Sequence, residues 1–217
     1  MRIPNTATLG RMATRGTMEV EHLLRLAQQP SPELADAIDE LAIEMCWPCH
    51  PCFPEVPFGT WAAVVSTYCR NGYNGLLETA NDQEMLPFVL GLLEELRTDE
   101  ALCAVVRIST TNRSYLLANP DQAEFAVGAL NLIALRISRN GPGEADRCSG
   151  RDFLHGAITM AETDAQRGTI LCALRFFGDE SSIPLVSGCP PLPPEWEGSR
   201  KAAFRAIKRR LRSDSSA

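Results

Sequence analysis

Apolar residues recur along most of this 217-residue chain at the three- and four-residue spacing of an amphipathic α-helix. After Ser31, for example, Leu34, Ile38, Leu41 and Met45 fall on one stripe. Comparable stripes occupy residues 60–70, 85–96, 99–108, 120–137, 149–161, 163–177 and 196–211. No segment alternates convincingly at the two-residue period of a half-buried strand. The pattern therefore predicts an all-α protein with about nine or ten helices.

Side chains that cap helix ends mark many of the boundaries between these stripes. Residues 31–33 and 119–121 each place a capping side chain before a proline and an acid, the order favoured at a helix start. Thr163 and Gln166 have the spacing of a capping box, and Gly178 can close the helix that follows. Further helix starts are predicted at Thr60, at residues 81–84 and at Ser149, and further ends at residues 71–72 and 141–143.

The predicted helices are short and joined by brief turns, so each must bury its apolar stripe against its neighbours. Residues 178–186 (GDESSIPLV) and 196–207 (WEGSRKAAFRAI) resemble a HEAT-like, armadillo-type repeat, in which a Gly-Asp turn leads a proline-marked first helix and an Arg-x-Ala-Ala second helix. The resemblance is clearest over residues 178–211, and residues 81–108 are similar to a weaker copy without the Arg-x-Ala-Ala element. It implies an α-α superhelix, a right-handed stack of helical repeats with a binding surface. It carries over no catalytic residue.

We expect a single helical domain over residues 18–212, with a connector rich in proline and cysteine at 46–58. Residues 1–17 lack the apolar segment of a secretory signal. They carry three arginines and no acid, which makes them loosely similar to an organelle transit peptide. They predict a disordered leader, or translation from a start upstream of Met18; residues 213–217 predict a disordered tail. No apolar run is long enough to cross a bilayer. With no export signal, the eight cysteines are expected to be reduced and the protein cytoplasmic.

The connector sequence CWPCHPCFPEVPF raises three hypotheses about chemistry. Cys46, Cys49 and His50 match the C-x-x-C-H pattern of haem attachment, and Cys52 completes a possible set of four zinc ligands. A redox C-x-x-C pair is the third hypothesis, although this pair follows the end of a helix, where the dipole disfavours a thiolate.

The prolines of the connector argue against a metal or haem site. They recur every third residue from Pro48 to Pro57, which is the period of a polyproline II helix. In that conformation Cys46, Cys49 and Cys52 share one face with neighbours roughly 9 Å apart. Thiolates bind zinc at about 2.3 Å, so an extended connector cannot place two of them on one ion. We therefore predict a stiff connector and no cofactor.

Charge is distributed unevenly along the chain, whose net charge is −6. Residues 19–100 contain 15 acidic and 3 basic groups, whereas residues 101–217 contain 12 acidic and 15 basic groups. On the face of one helix opposite its apolar stripe, acids recur every fourth residue. We predict that these acids and others nearby contact a basic partner; the simpler alternative is a solvated acidic face. The predicted contact residues are Asp36, Glu40, Glu44, Glu94, Glu95, Asp99 and Glu100.

No nucleophile elbow, phosphate-binding loop or dinucleotide fingerprint occurs in the sequence, and neither His22 nor His155 belongs to a recognisable catalytic pattern. The basic residues of 200–212 suit a helix C-terminus better than nucleic acid, because few aromatics accompany them. The sequence thus predicts a non-catalytic protein-binding module, namely an immunity or antitoxin-type inhibitor of a basic toxin or effector domain. The alternatives are a scaffold or adaptor, and a metal- or redox-dependent protein centred on residues 46–52. Oligomeric state is left open.

Overall fold

The computed structural model describes residues 20–45, 58–137 and 142–214. Within these ranges the chain forms eleven α-helices and one short 3₁₀ helix, and no strand. The all-α prediction is therefore confirmed. The chain divides into two compact units, residues 1–96 and 97–217. The expected single domain over residues 18–212 stays a prediction.

The first unit contains four of these helices. They are α1 (Val20–Leu26), α2 (Pro32–Met45), α3 (Phe58–Thr79) and α4 (Leu86–Leu96). Helix α3 contacts each of the other three, and α1 also contacts α4. Leu34 and Ile38 of α2 are buried, as the apolar stripe predicted. At the contact of α3 with α4, the Trp61 ring lies so close to Gly91 that a Cβ there would come within 2.7 Å of it.

Helix α3 changes direction at Gly72, where the sequence predicted a helix end. Gly72 has φ 59° and ψ −150°, a conformation that glycine adopts without a steric penalty. The chain resumes a helical path after it and continues to Thr79, with Leu76 buried in the core of the unit. The predicted end at residues 71–72 is therefore a break within one longer element.

The second unit contains the remaining helices. They are α5 (Asp99–Thr111), α6 (Arg113–Ala118), α7 (Pro120–Ile137), α8 (Glu144–Met160), α9 (Asp164–Phe177), the 3₁₀ helix Glu180–Ser182, α10 (Ile183–Gly188) and α11 (Pro194–Asp214). Alternate helices pack together: α5 contacts α7, α7 contacts α9, and α9 contacts α11. Helix α8 contacts α5 and α9. Its Phe153 is buried, together with Leu130, Leu174 and Ile207 of three other helices.

Several predicted caps are present. The Ser31 hydroxyl accepts the N–H of Leu34 at 3.2 Å. Thr163 and Gln166 form both hydrogen bonds of a capping box at the start of α9, and Gly178 ends that helix. Each of these bonds involves residues three or four apart, which explains why sequence spacing could predict them.

Other boundaries differ from the prediction. Helix α8 begins at Glu144 rather than at Ser149, because Glu144 and Asp146 place negative charge in its first turn. At residues 81–84 the Asp82 carboxylate accepts the backbone N–H of Glu84 within a turn. Helix α4 begins only at Leu86. Helix α11 runs from Pro194 to Asp214, longer at both ends than the predicted 196–211. No helix in the described ranges has the length and apolar content needed to cross a bilayer.

Candidate interaction surface

The predicted acidic face of α2 is exposed. Glu33, Asp36 and Glu40 point to solvent, on the side of the helix opposite the buried Leu34 and Ile38. Glu44 occupies the next turn of the same helix. Helical periodicity therefore placed Asp36 and Glu40 on the exposed face.

A cation from the neighbouring helix lies against this face. The guanidinium of Arg70 on α3 contacts Asp36 at 2.8 Å and Asp39 at 2.5 Å, and it also donates to the Ser66 hydroxyl. All three charged side chains are at least 39% exposed, so each pair contributes little to stability. The ion pairs act mainly on the electrostatic potential of the surface. Because Arg70 reduces the negative potential around Asp36, Glu40 is left as the stronger exposed negative charge.

The other predicted contact residues have different settings. Glu94 and Glu95 lie half-buried near the end of α4, where the Glu95 carbonyl accepts a hydrogen bond from Gln28. Asp99 and Glu100 belong to the second unit and occupy the exposed first turn of α5. Carboxylates in that position stabilise their own helix through its dipole, which is sufficient to explain them. The role of all four in partner binding stays a prediction.

Of the predicted connector at 46–58, residues 46–57 lie outside the described residues, and Phe58 is the first residue of α3. The haem, zinc and redox hypotheses for Cys46, Cys49, His50 and Cys52 therefore stay predictions, as does the stiff connector itself. Within the described ranges, no group of three or more histidines, cysteines and acids is placed to hold a metal ion.

Cys69 and Cys103 are in settings that suppress the reactivity of their thiols. Burial raises the pKa of Cys69, as expected for a thiol in an apolar stripe. Burial and the adjacent Asp146 carboxylate raise the pKa of Cys103 to about 11. Cys103 donates a hydrogen bond to Asp146 at 3.0 Å, and Cys172 donates one to Ser199 at 3.1 Å. The raised pKa values keep Cys69 and Cys103 protonated near neutral pH, so these two thiols act as structural groups.

A polar cluster that the sequence did not reveal joins α8 to the turn before α10. His155 Nε2 lies 2.7 Å from the Ser182 hydroxyl, which also accepts the backbone N–H of Asp179 at 3.1 Å. Asp179 forms an ion pair with Arg151, one turn before His155 on α8. The serine–histidine distance suits a nucleophile and its base, but Ser182 is fully buried. The cluster therefore connects two elements and does not present a nucleophile.

Lowering the pH is expected to destabilise the second unit through His155. Burial and the charge of Arg151 hold the pKa of His155 below its usual 6.5, so the unfolded chain takes up this proton more readily than the folded one. The contribution of neutral His155 to the free energy of unfolding is complete above about pH 6.5. It is lost as the pH falls through the pKa of His155 in the folded state. Urea unfolding of the wild type between about pH 7.5 and 5 should show a larger loss than the His155→Gln variant. An identical loss in both proteins would contradict this assignment.

A polar cleft adjoins this cluster and is lined by three arginines. Each arginine already has a partner within the chain. Arg147 pairs with Glu144, Arg151 pairs with Asp152 and Asp179, and Arg210 donates to two backbone carbonyls at the end of α9. An anion entering the cleft would have to compete with these contacts, so the cleft is a poor anion site.

The basic residues of α11 also make contacts within the chain. Arg200 pairs with Glu197 at 2.7 Å, and the Lys208 ammonium lies 4.3 Å from the centre of the Phe204 ring. Arg210 caps the end of α9 at 2.6 Å from each of two carbonyl oxygens. These contacts give Arg200, Lys208 and Arg210 a structural role, and the expectation that the helix does not bind nucleic acid stays a prediction.

Comparison with protein-family models, with curated proteins and with solved structures gave no match for this chain. Its class is therefore defined by its own features. It is an all-α protein whose first unit exposes acids on α2, and whose second unit packs alternate helices together.

Proposed function

We propose that this protein is a non-catalytic protein-binding module whose first unit engages a basic partner. The observation that carries the proposal is the exposed acidic face of α2, on a unit whose 96 residues contain 13 acidic and 5 basic groups. Such a surface accelerates encounter with a basic protein and repels nucleic acid. We further propose that the partner is a toxin or effector domain and that the protein is an immunity or antitoxin-type inhibitor acting in the cytoplasm.

The packing of the second unit supports a HEAT-like superhelix as the scaffold for this role. In stacked repeats each helix contacts equivalent helices of its neighbours, and α5, α7, α9 and α11 contact one another in that order. The Gly-Asp turn of the resemblance is also built as a cap, because Asp179 accepts the N–H of Ser181. Ala203 and Ile207 of the Arg-x-Ala-Ala helix are buried, as a packed second helix requires.

Arg70 refines the electrostatic part of the proposal. A basic group of a partner that approaches Asp36 must share that carboxylate with Arg70, which lies 2.8 Å from it. Glu40 has no such competition in the contacts described for α3, so it should contribute more to the rate of association. Both acids are surface groups, and their contribution should weaken as salt screens them.

Neutralising the α2 acids is expected to weaken partner capture. The Asp36→Asn, Glu40→Gln double variant removes two charges, and at low salt the loss should be about tenfold. The matched control is Glu162→Gln with Glu195→Gln, which makes the same change in net charge at exposed positions of the second unit. Each protein is used as bait in an extract of the native cell, at about 50 and 300 mM salt, and captured proteins are quantified by mass spectrometry.

The proposal predicts one dominant basic protein that the wild type and the control capture and the α2 variant loses, most clearly at low salt. Equal capture by all three baits, or a partner without a basic surface, would contradict it. Capture of several partners in comparable amounts would favour the scaffold alternative over the inhibitor.

A further inference from the structure

The exposed apolar surface of the described chain is concentrated on one helix. Four large apolar side chains are at least 40% exposed, and three of them lie on α7: Phe125, Leu132 and Leu135, with Met160 on α8 as the fourth. Intervals of seven and three residues place the three α7 side chains on one face. Gly128 lies on the same face, and a Cβ there would meet nothing within 4 Å. The stripe is about 15 Å long.

Burial within the second unit does not account for this stripe. The opposite side of α7 is the one that packs in the core, where Ala126, Leu130 and Ile133 are buried against neighbouring helices. A helix that packs on one side only normally carries polar residues on the other. Exposed apolar residues gathered on one face are typical of a protein–protein contact.

The charges that flank the stripe are arranged for pairing with a copy of itself. Asp121 and Glu124 are exposed at the N-terminal end of the stripe, and Arg136 is exposed at its C-terminal end. An antiparallel arrangement brings the acidic end of one α7 to the basic end of the other, whereas a parallel one brings like charges together. Antiparallel packing also opposes the two helix dipoles.

The positions along the stripe fit the same arrangement. If two copies of α7 cross at residue 130, then Phe125 of one copy lies at the level of Leu135 of the other. Gly128 lies at the level of Leu132, so that a large side chain meets a position with no side chain. Glu124 comes to the level of Arg136. This reciprocity is the property that a two-fold contact between identical chains requires.

We propose that α7 is a homodimer interface, in which two copies of the chain pack their α7 helices antiparallel about a two-fold axis. The proposal is independent of the α2 surface and goes beyond the proposed function, because it concerns the second unit alone. The contact is small, so the dimer should form reversibly and depend on concentration.

Charge reversal distinguishes this dimer from other associations. Arg136→Glu in one protein, and Asp121→Arg with Glu124→Arg in another, each place like charges together in their own homodimer. Each variant alone should dissociate at least about tenfold more readily than wild type. Mixed in equal amounts, the two variants should form a heterodimer. In that heterodimer both ends of α7 are acidic in one chain and basic in the other, so opposite charges face each other at each end. Sedimentation velocity up to about 0.5 mM, under reducing conditions, measures the wild type, each variant and the mixture.

Two further variants test whether the apolar stripe of α7 forms the contact. Leu132→Asp should abolish the dimer and leave the circular dichroism spectrum unchanged, since Leu132 is 40% exposed. Ser187→Asp introduces the same charge at an exposed position of α10 and should leave the dimer intact. A wild type that stays monomeric throughout the concentration range would overturn the proposal. So would a dimer that survives Leu132→Asp, or charge variants that fail to associate when mixed, since another surface would then be responsible.

Discussion

The Phe177→Ala variant is expected to lose about 3–5 kcal/mol of the free energy of unfolding of the second unit. Phe177 ends α9 and is completely buried. Its ring lies against the backbone of α8 at Gly150, where a Cβ would come within 2.6 Å of the ring. Because a helix backbone cannot collapse into the vacated space, most of the cavity should remain and its full cost should be measured.

The loss is measured on the intact chain by urea unfolding, followed by circular dichroism at 222 nm. Phe125→Ala is the matched control, since it removes the same ring from a site that is 50% exposed. It should cost less than about 1 kcal/mol when measured at low protein concentration. Equal losses in the two variants would mean that the Phe177 ring does not occupy the core.

Replacing Gly168 with alanine is expected to destabilise the protein by about 1–3 kcal/mol or more, although alanine is the better helix former. Gly168 is buried in α9, and a Cβ there would lie 2.1 Å from the indole of Trp196 on α11. The clash requires either the indole to leave its position or the two helices to separate. Helices α9 and α11 form an extensive contact, so either movement disturbs the core of the unit.

Gly198→Ala is the control for this second experiment. Gly198 lies within α11, is exposed, and offers a new Cβ nothing within 4 Å. There the ordinary helix preference should prevail, and the variant should gain up to about 1 kcal/mol. Trp196→Leu should relieve part of the Gly168→Ala penalty when the two changes are combined, because it removes the opposing ring. A stabilising Gly168→Ala would show that α9 and α11 are not packed this closely.

The elements of this protein could be predicted where their determinants are local in the chain. The stripe of Leu34 and Ile38, the Ser31 cap and the Thr163 capping box involve residues three or four positions apart. The exposure of Asp36 and Glu40 follows from the same periodicity, since they lie opposite the stripe. Helix starts were misplaced where a competing local signal was equally strong, as at Ser149, which lies inside α8.

Contacts between helices could not be predicted in the same way. Arg70 is 34 residues from Asp36, and Ser182 is 27 residues from His155. The sequence showed each of these residues but not which one it would meet. Arg151 and His155 stand four residues apart on α8 and face the Gly-Asp turn. That spacing was the available sequence signal for the cluster. Polar residues four positions apart occur at many other places in the chain, so the spacing did not single out this pair.

The sequence by itself determined that this protein is all-α, which faces of its helices are apolar, and where its acidic charge is concentrated. These properties depend on residue spacing and composition, which are fully present in the linear chain. Only the tertiary structure decided that Arg70 lies against the acidic face, that Trp196 excludes a side chain at position 168, and that one face of α7 is left exposed. Each of these depends on which helix packs against which, and that choice is made by the shape and charge of surfaces brought together from distant parts of the chain.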